Sequence, residues 1–186
     1  MYLIGKKTML RALELEDMEF LRETINDPYF ERMVGGWSFP VSKNAQLKWF
    51  ESLGPNQSNY RYAIESLETK EFLGMISLLN IDWKNRSGMT AIKLSKIGLS
   101  GKGIATDAEF TLMEYVFNEL NLHRLTADVL KYNTPSVSLH KKIGGIVEGV
   151  KREAVFKNGQ YNDVLSFGIL KEDYIKAAKI NGYLTE

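Results

Sequence analysis

The chain has 186 residues, no cysteine, and 24 basic against 23 acidic residues, a formal net charge of +1. That length fits one domain with a sizeable core, and the missing cysteine excludes disulfides, thiolate metal sites and a cysteine nucleophile. A balanced charge gives no general attraction to nucleic acid, no apolar run reaches membrane length, and the amino terminus lacks a signal-peptide apolar core. A cytoplasmic protein, monomer or homodimer, with one domain over residues 1–186 and neither nucleic acid nor membrane as partner is the expectation.

Residues 2–13 read as an opening strand. Glu16 and Asp17 start a helix carrying Met18, Phe20, Leu21 and Ile25, which Asn26-Asp27-Pro28 closes. A polar and aromatic loop is expected over residues 29–40, around Gly35-Gly36-Trp37. Ser42 then caps a second helix anchored by Leu47, Trp49 and Phe50. Two strands follow, 60–66 and 72–81, joined by the charged turn 67–71.

Residues 89–99 read as a strand that runs into Ser100-Gly101-Lys102-Gly103-Ile104-Ala105-Thr106. Beyond it, Phe110, Met113, Val116, Phe117 and Leu120 recur at helical spacing. A glycine turn between strand and helix lets the backbone approach a ligand, and the first free amides of the helix favour an anion there. Phosphate or pyrophosphate is the ligand this junction suits, although a plain left-handed turn has the same letters. A Walker loop is excluded because Gly103 follows Lys102, and a dinucleotide fingerprint because Thr106 stands where its third glycine belongs.

Another strand is expected over 124–130. After it, Asn133-Thr134-Pro135-Ser136 opens a short helix that ends at Gly144-Gly145. Strands over 147–156 and 161–169 flank Asn158-Gly159, a strong hairpin signal, and a helix over 171–179 closes the chain. This order implies an α/β (α+β) domain, a mixed twisted sheet with helices on its faces.

Several of these stretches, in order, resemble the GNAT N-acetyltransferases and, within them, the RimJ/RimL-type branch. They are Ile81-Asp82-Trp83-Lys84-Asn85-Arg86, the glycine turn, residues 115–124 ending in Asn121-Leu122-His123-Arg124, and residues 148–163 from Glu148-Gly149 to Asn162-Asp163. The resemblance spans nearly the whole chain. It implies the GNAT fold: six to seven strands, helices on both faces, and a central splay between two parallel strands that binds acetyl-CoA as acyl-donor substrate.

By that resemblance, backbone groups of Leu94, Ser95 and Lys96 pair with the pantetheine arm like an added strand. Amides of Ser100, Gly101, Lys102, Gly103, Ile104, Ala105 and Thr106 cradle the pyrophosphate, with Asn133 and Ser136 reaching the cofactor from the next helix. An ordinary Asx turn before Pro135 accounts for Asn133 equally. The family's phosphate-loop motif is Gln/Arg-x-x-Gly-x-Gly/Ala, which Ser100-Gly101-Lys102-Gly103-Ile104-Ala105 resembles with serine in place of the first residue.

Direct acyl transfer requires an amine that has lost its proton, a donor for the oxyanion and a proton for the thiolate. His140 takes the position at which the family often has a tyrosine acid. An imidazole suits proton exchange near neutrality, and the other reading makes His140 a surface residue with water as acid. The family's glutamate after Asn-Arg is missing from Ser87-Gly88-Met89-Thr90, which leaves Asp82 as the nearest carboxylate, for catalysis, for pairing with Arg86 or for capping its turn. His123 has no companions in a metal-site spacing. Tyr29, Trp37, Arg152 and Asp163, with Phe30, Phe39 and Glu153, are expected near the amine acceptor, a protein amino terminus, polyamine or amino sugar. A non-catalytic acyl-CoA-binding module is the alternative function.

Overall fold

The computed structural model describes residues 2–36, 39–54, 58–95, 97–99 and 101–185, residue 97 by its backbone alone. Among them the order is β1 (Leu3–Ile4), β2 (Thr8–Ala12), α1 (Asp17–Asn26), α2 (Pro28–Met33), α3 (Lys43–Glu51), β3 (Tyr60–Ser66), β4 (Phe72–Asp82), β5 (Ser87–Leu94), a 3-10 turn (Ile97–Leu99) and α4 (Ile104–Asn118). Next come β6 (Arg124–Leu130), α5 (Thr134–Lys142), β7 (Ile146–Lys157), β8 (Gln160–Leu170) and α6 (Lys171–Ile180). The eight strands form one mixed sheet ordered β1-β2-β3-β4-β5-β6-β8-β7. This is the GNAT fold expected from the sequence, with one more strand than the upper count.

Strand alternation assigns the helices to faces. Leu10 and Ile64 point into the core with Phe110, Leu112, Met113 and Phe117 of α4 and with Tyr174 of α6. Their neighbours Arg11 and Glu65 point the other way, where Arg11 pairs with Asp17 of α1 at 2.8 Å. On that second face Phe20 of α1 also stacks on Phe72 of β4.

Among the described strands only β5 and β6 are parallel, and they pair over three residues, Ser87↔Arg124, Gly88↔Leu125 and Met89↔Thr126. Beyond Met89 each keeps its outer partner, β5 as far as Leu94↔Gly74 and β6 as far as Leu130↔Val164. The sheet therefore opens along this seam into two stiff halves.

Three expectations need correction. The opening strand is broken at residues 5–7, because the Asp107 carboxylate takes the amides of Lys6, Lys7 and Thr8 at 3.0, 2.9 and 2.8 Å and turns the chain around itself. The strand expected over 89–99 starts earlier and stops at Leu94, where the 3-10 turn leads into the glycine loop. Within the expected loop 29–40 lies a helix, α2, with Pro28 in its first turn and the Asp27 carboxylate accepting from the Tyr29 amide at 2.7 Å.

At the far edge, β7 is interrupted twice. Its register against β8 shifts between Val147 and Gly149 and again between Lys151 and Val155. Glu153, inside the second bulge, has φ 52°.

Candidate active site

The seam between β5 and β6 opens onto a cleft of about 340 Å³. Its walls are Ile92, Lys93 and Leu94 of β5, Gly101 and Gly103 with the first residues of α4, Asn133, Ser136, Leu139 and Lys142 on one side of α5, and Tyr29, Phe30 and Met33 of α2. Gly101 and Gly103 both sit at φ 79°, a backbone that side chains rarely adopt, and Gly103 caps α4. Nothing stands within 4 Å of where a side chain on Gly101 would begin. The amides of Ile104, Ala105 and Thr106 have no partner within their own helix, so this corner is built for an anion. The loop is braced from outside, since Lys7 Nζ donates to the Lys102 carbonyl at 2.9 Å.

Of the expected cofactor contacts, Leu94, Gly101, Gly103, Ile104, Ala105, Thr106, Asn133 and Ser136 meet at this cleft. Lys96, Ser100 and Trp37 lie outside the described residues. Lys102 is exposed and does not line the cleft. For Ser95 the strand-pairing expectation is corrected. Its amide already donates to the Leu73 carbonyl at 2.8 Å, and the strand residues facing the cleft are Ile92, Lys93 and Leu94. Asn133 is doubly engaged: its carbonyl oxygen caps α5 by accepting from the Ser136 amide at 3.2 Å, and its amide nitrogen donates to the Met33 carbonyl at 2.9 Å.

That second bond is one of three with the same design. Lys157 of β7 donates to the Glu31 carbonyl at 2.7 Å and pairs with the Glu31 carboxylate, and the Tyr132 hydroxyl donates to the Arg32 carbonyl. The last carbonyls of α2, which no helix satisfies by itself, thus find partners on the opposite half of the split sheet. In this way α2 roofs the cleft.

Neither expected catalytic residue faces the reaction space. His140 is buried, 3% exposed, with its ring stacked on Phe167 at 5.3 Å and Nδ1 against the Ser136 carbonyl at 2.8 Å. A neutral ring in this setting spends its one N–H on that carbonyl, and burial lowers its pKa. The ring is buried away from the cleft and is not among its lining residues, so both earlier readings, acid and surface residue, are corrected.

Asp82 sits at the other end of β5, paired with Ser87, six residues from Lys93, on the order of 20 Å along a strand. It accepts from the Asn85 amide and side chain at 2.9 and 2.6 Å, bonds that hold its pKa below the ordinary carboxylate value. Asp82 caps its turn. Asp82→Asn is expected to leave kcat/KM within about twofold of the parent, and a steady-state assay with acetyl-CoA checks this.

Tyr29 lines the cleft, whereas Arg152 and Asp163 do not. Asp163 accepts from Lys131 Nζ at 2.9 Å and from the Glu153 amide at 3.1 Å, and Arg152 is exposed on β7. Sequence reasoning missed Lys93, Met33 and Lys142. The signal for Lys93 was present in Ile92-Lys93-Leu94, where alternation sends a lysine to the face opposite two core residues.

The family model for the Acetyltransferase (GNAT) domain matches residues 7–146. The spermidine N(1)-acetyltransferase of Escherichia coli (strain K12) is 29% identical over 174 residues, covering 93% of this chain and 91% of that protein. The putative ribosomal N-acetyltransferase YdaF of Bacillus subtilis (strain 168) is 28% identical over 177 residues, with 92% and 95% covered. Among solved structures, spermidine N-acetyltransferase from Vibrio cholerae in complex with CoA and spermine superposes with a TM-score of 0.83 at 27% identity, over 90% of this chain and 98% of that one.

Proposed function

The chain belongs to the GNAT acetyltransferase family and is an acetyl-CoA-dependent N-acetyltransferase; from that premise we propose that, as a single RimJ/RimL-type domain acting in the cytoplasm, it acetylates a protein amino terminus or small amine directly, in a ternary complex. The observation that carries this reading is the junction of the β5–β6 seam with the glycine-capped start of α4 in one cleft. An extended arm fits along the free edge of β5 at Ile92, Lys93 and Leu94, and a pyrophosphate fits the amides of residues 104–106. Lys142, at the end of α5, adds positive charge on the same side.

When bound, acetyl-CoA supplies the activated acyl carbon. The amine nitrogen forms the new C–N bond as the C–S bond breaks. The proton leaving nitrogen goes to water, and water returns one to the thiolate. Water has this role because, among the described residues, no carboxylate or imidazole lines the cleft. The chain's own contribution is to hold two substrates in reacting geometry, an effect large enough to carry most of the rate.

Gly103→Asp tests the pyrophosphate assignment. It sets a carboxylate against the anion, and acetyl-CoA affinity by calorimetry is expected to fall by about tenfold or more. Gly103→Ala, which carries the backbone strain without the charge, is expected to lose less. Unchanged affinity in the aspartate variant would sink the assignment.

A further inference from the structure

The cleft has an unusual charge. Its described lining as a whole includes two lysines, Lys93 and Lys142, and no aspartate or glutamate. Lys142 stands at the anion corner with α5. Lys93 is different, because Ile92 and Leu94 pack on the core with α4 and the intervening side chain turns to the face that carries α1 and α2.

No carboxylate among the described residues comes within ion-pair distance of Lys93. On the helix that roofs the cleft, the Glu31 carboxylate is already taken by the buried Lys157. Burial and the charge of Lys157 both lower the pKa of Lys93, the mark of a cation without a counter-ion. A polycationic amine entering here meets like charge in a partly desolvated space, which costs more than it would in water.

We infer that the acceptor carries its own anionic group, a carboxylate, beyond the amine, and that Lys93 selects it against polyamines. This rests on the acetyl-transfer reading of the cleft. Lys93 is a specificity residue in this account: its ammonium binds the far end of the acceptor and leaves the amine free to reach the thioester. The named relatives that act on spermidine thus share the fold and the donor with this chain, and differ from it in acceptor.

Two amines of one length separate the possibilities, ε-aminocaproate with a carboxylate at its far end and hexamethylenediamine with an ammonium there. The parent protein with acetyl-CoA is expected to show kcat/KM roughly tenfold or more in favour of aminocaproate, with product identified by mass spectrometry. Lys93→Glu is expected to reverse that ratio, and Lys93→Met to bring it near unity. Preference of the parent for the diamine, or a ratio that Lys93→Glu leaves unchanged, overturns the inference. Calorimetric binding of both amines to the protein–CoA complex is read alongside. Selective binding that Lys93→Glu reverses, without acetylation of either amine, supports the selectivity and refutes transfer. Equal binding in parent and Lys93→Glu refutes the selectivity and leaves transfer standing.

Discussion

Replacing Glu109 by leucine is expected to raise the free energy of unfolding at pH 8 by on the order of 3 kcal/mol or more. Glu109 lies in the second turn of α4, is 0% exposed, and neither carboxylate oxygen has a hydrogen-bond partner among the described residues. Burial pushes its pKa from the ordinary 4.5 up to about 8. The folded protein thus holds a proton that the unfolded chain releases between those two values. There the unfolded state binds fewer protons, so stability falls as pH rises, by up to about 1.4 kcal/mol per pH unit. The penalty is absent below about pH 4.5 and complete above about pH 8. Glu109→Leu, and Glu109→Gln to a smaller extent, should flatten this slope, so that parent and variants converge near pH 5. Urea titrations at pH 5 and 8 measure it, and a parent whose stability does not change between them would refute the assignment.

Two residues earlier on the same helix, Asp107→Ala should have the opposite effect, a loss of roughly 3–5 kcal/mol. Asp107 is as buried as Glu109 and has five donors. Besides the amides of Lys6, Lys7 and Thr8, it accepts the Thr8 hydroxyl at 2.7 Å and the Tyr183 hydroxyl at 2.9 Å. Alanine leaves the fully buried Thr8 amide and hydroxyl without an acceptor. It also frees the turn that carries Lys7, whose ammonium braces the Lys102 carbonyl. Lower acetyl-CoA affinity should therefore accompany the lower denaturation midpoint. Tyr183→Phe removes one donor and is expected to cost about 1 kcal/mol, less when Asp107 is already alanine. A fully stable Asp107→Ala would disprove the role.

The contrast between these two acids explains what sequence could and could not disclose. Local signals were legible. Asn158-Gly159 makes its hairpin with φ 52° and 76°, and Asn133 before Thr134-Pro135 caps α5 as its letters suggest. The glycine turn and the helix after it were likewise readable, because propensity and periodicity act within a few residues. Helix α2 was not, since six residues carry no apolar period and its last carbonyls are satisfied by Lys157, Tyr132 and Asn133, about a hundred or more positions away. Catalytic guesses failed for a related reason. His140 and Asp82 were chosen by type and alignment, and only the fold decides that one faces Phe167 and the other the far end of β5. Lys93 gained its meaning from the opening of the seam, which no local pattern encodes.

The two bulges in β7 bear on how the protein behaves at high concentration. A twelve-residue border strand with Ile146, Val147, Val150 and Phe156 exposed would, if straight, be a template for another chain's strand. The bulges bend it out of plane at two points, and Glu148, Lys151, Arg152 and Glu153 put charge of both signs around them. The paired runs left between the bulges are no more than three residues long, too short to template the addition of another strand along this border.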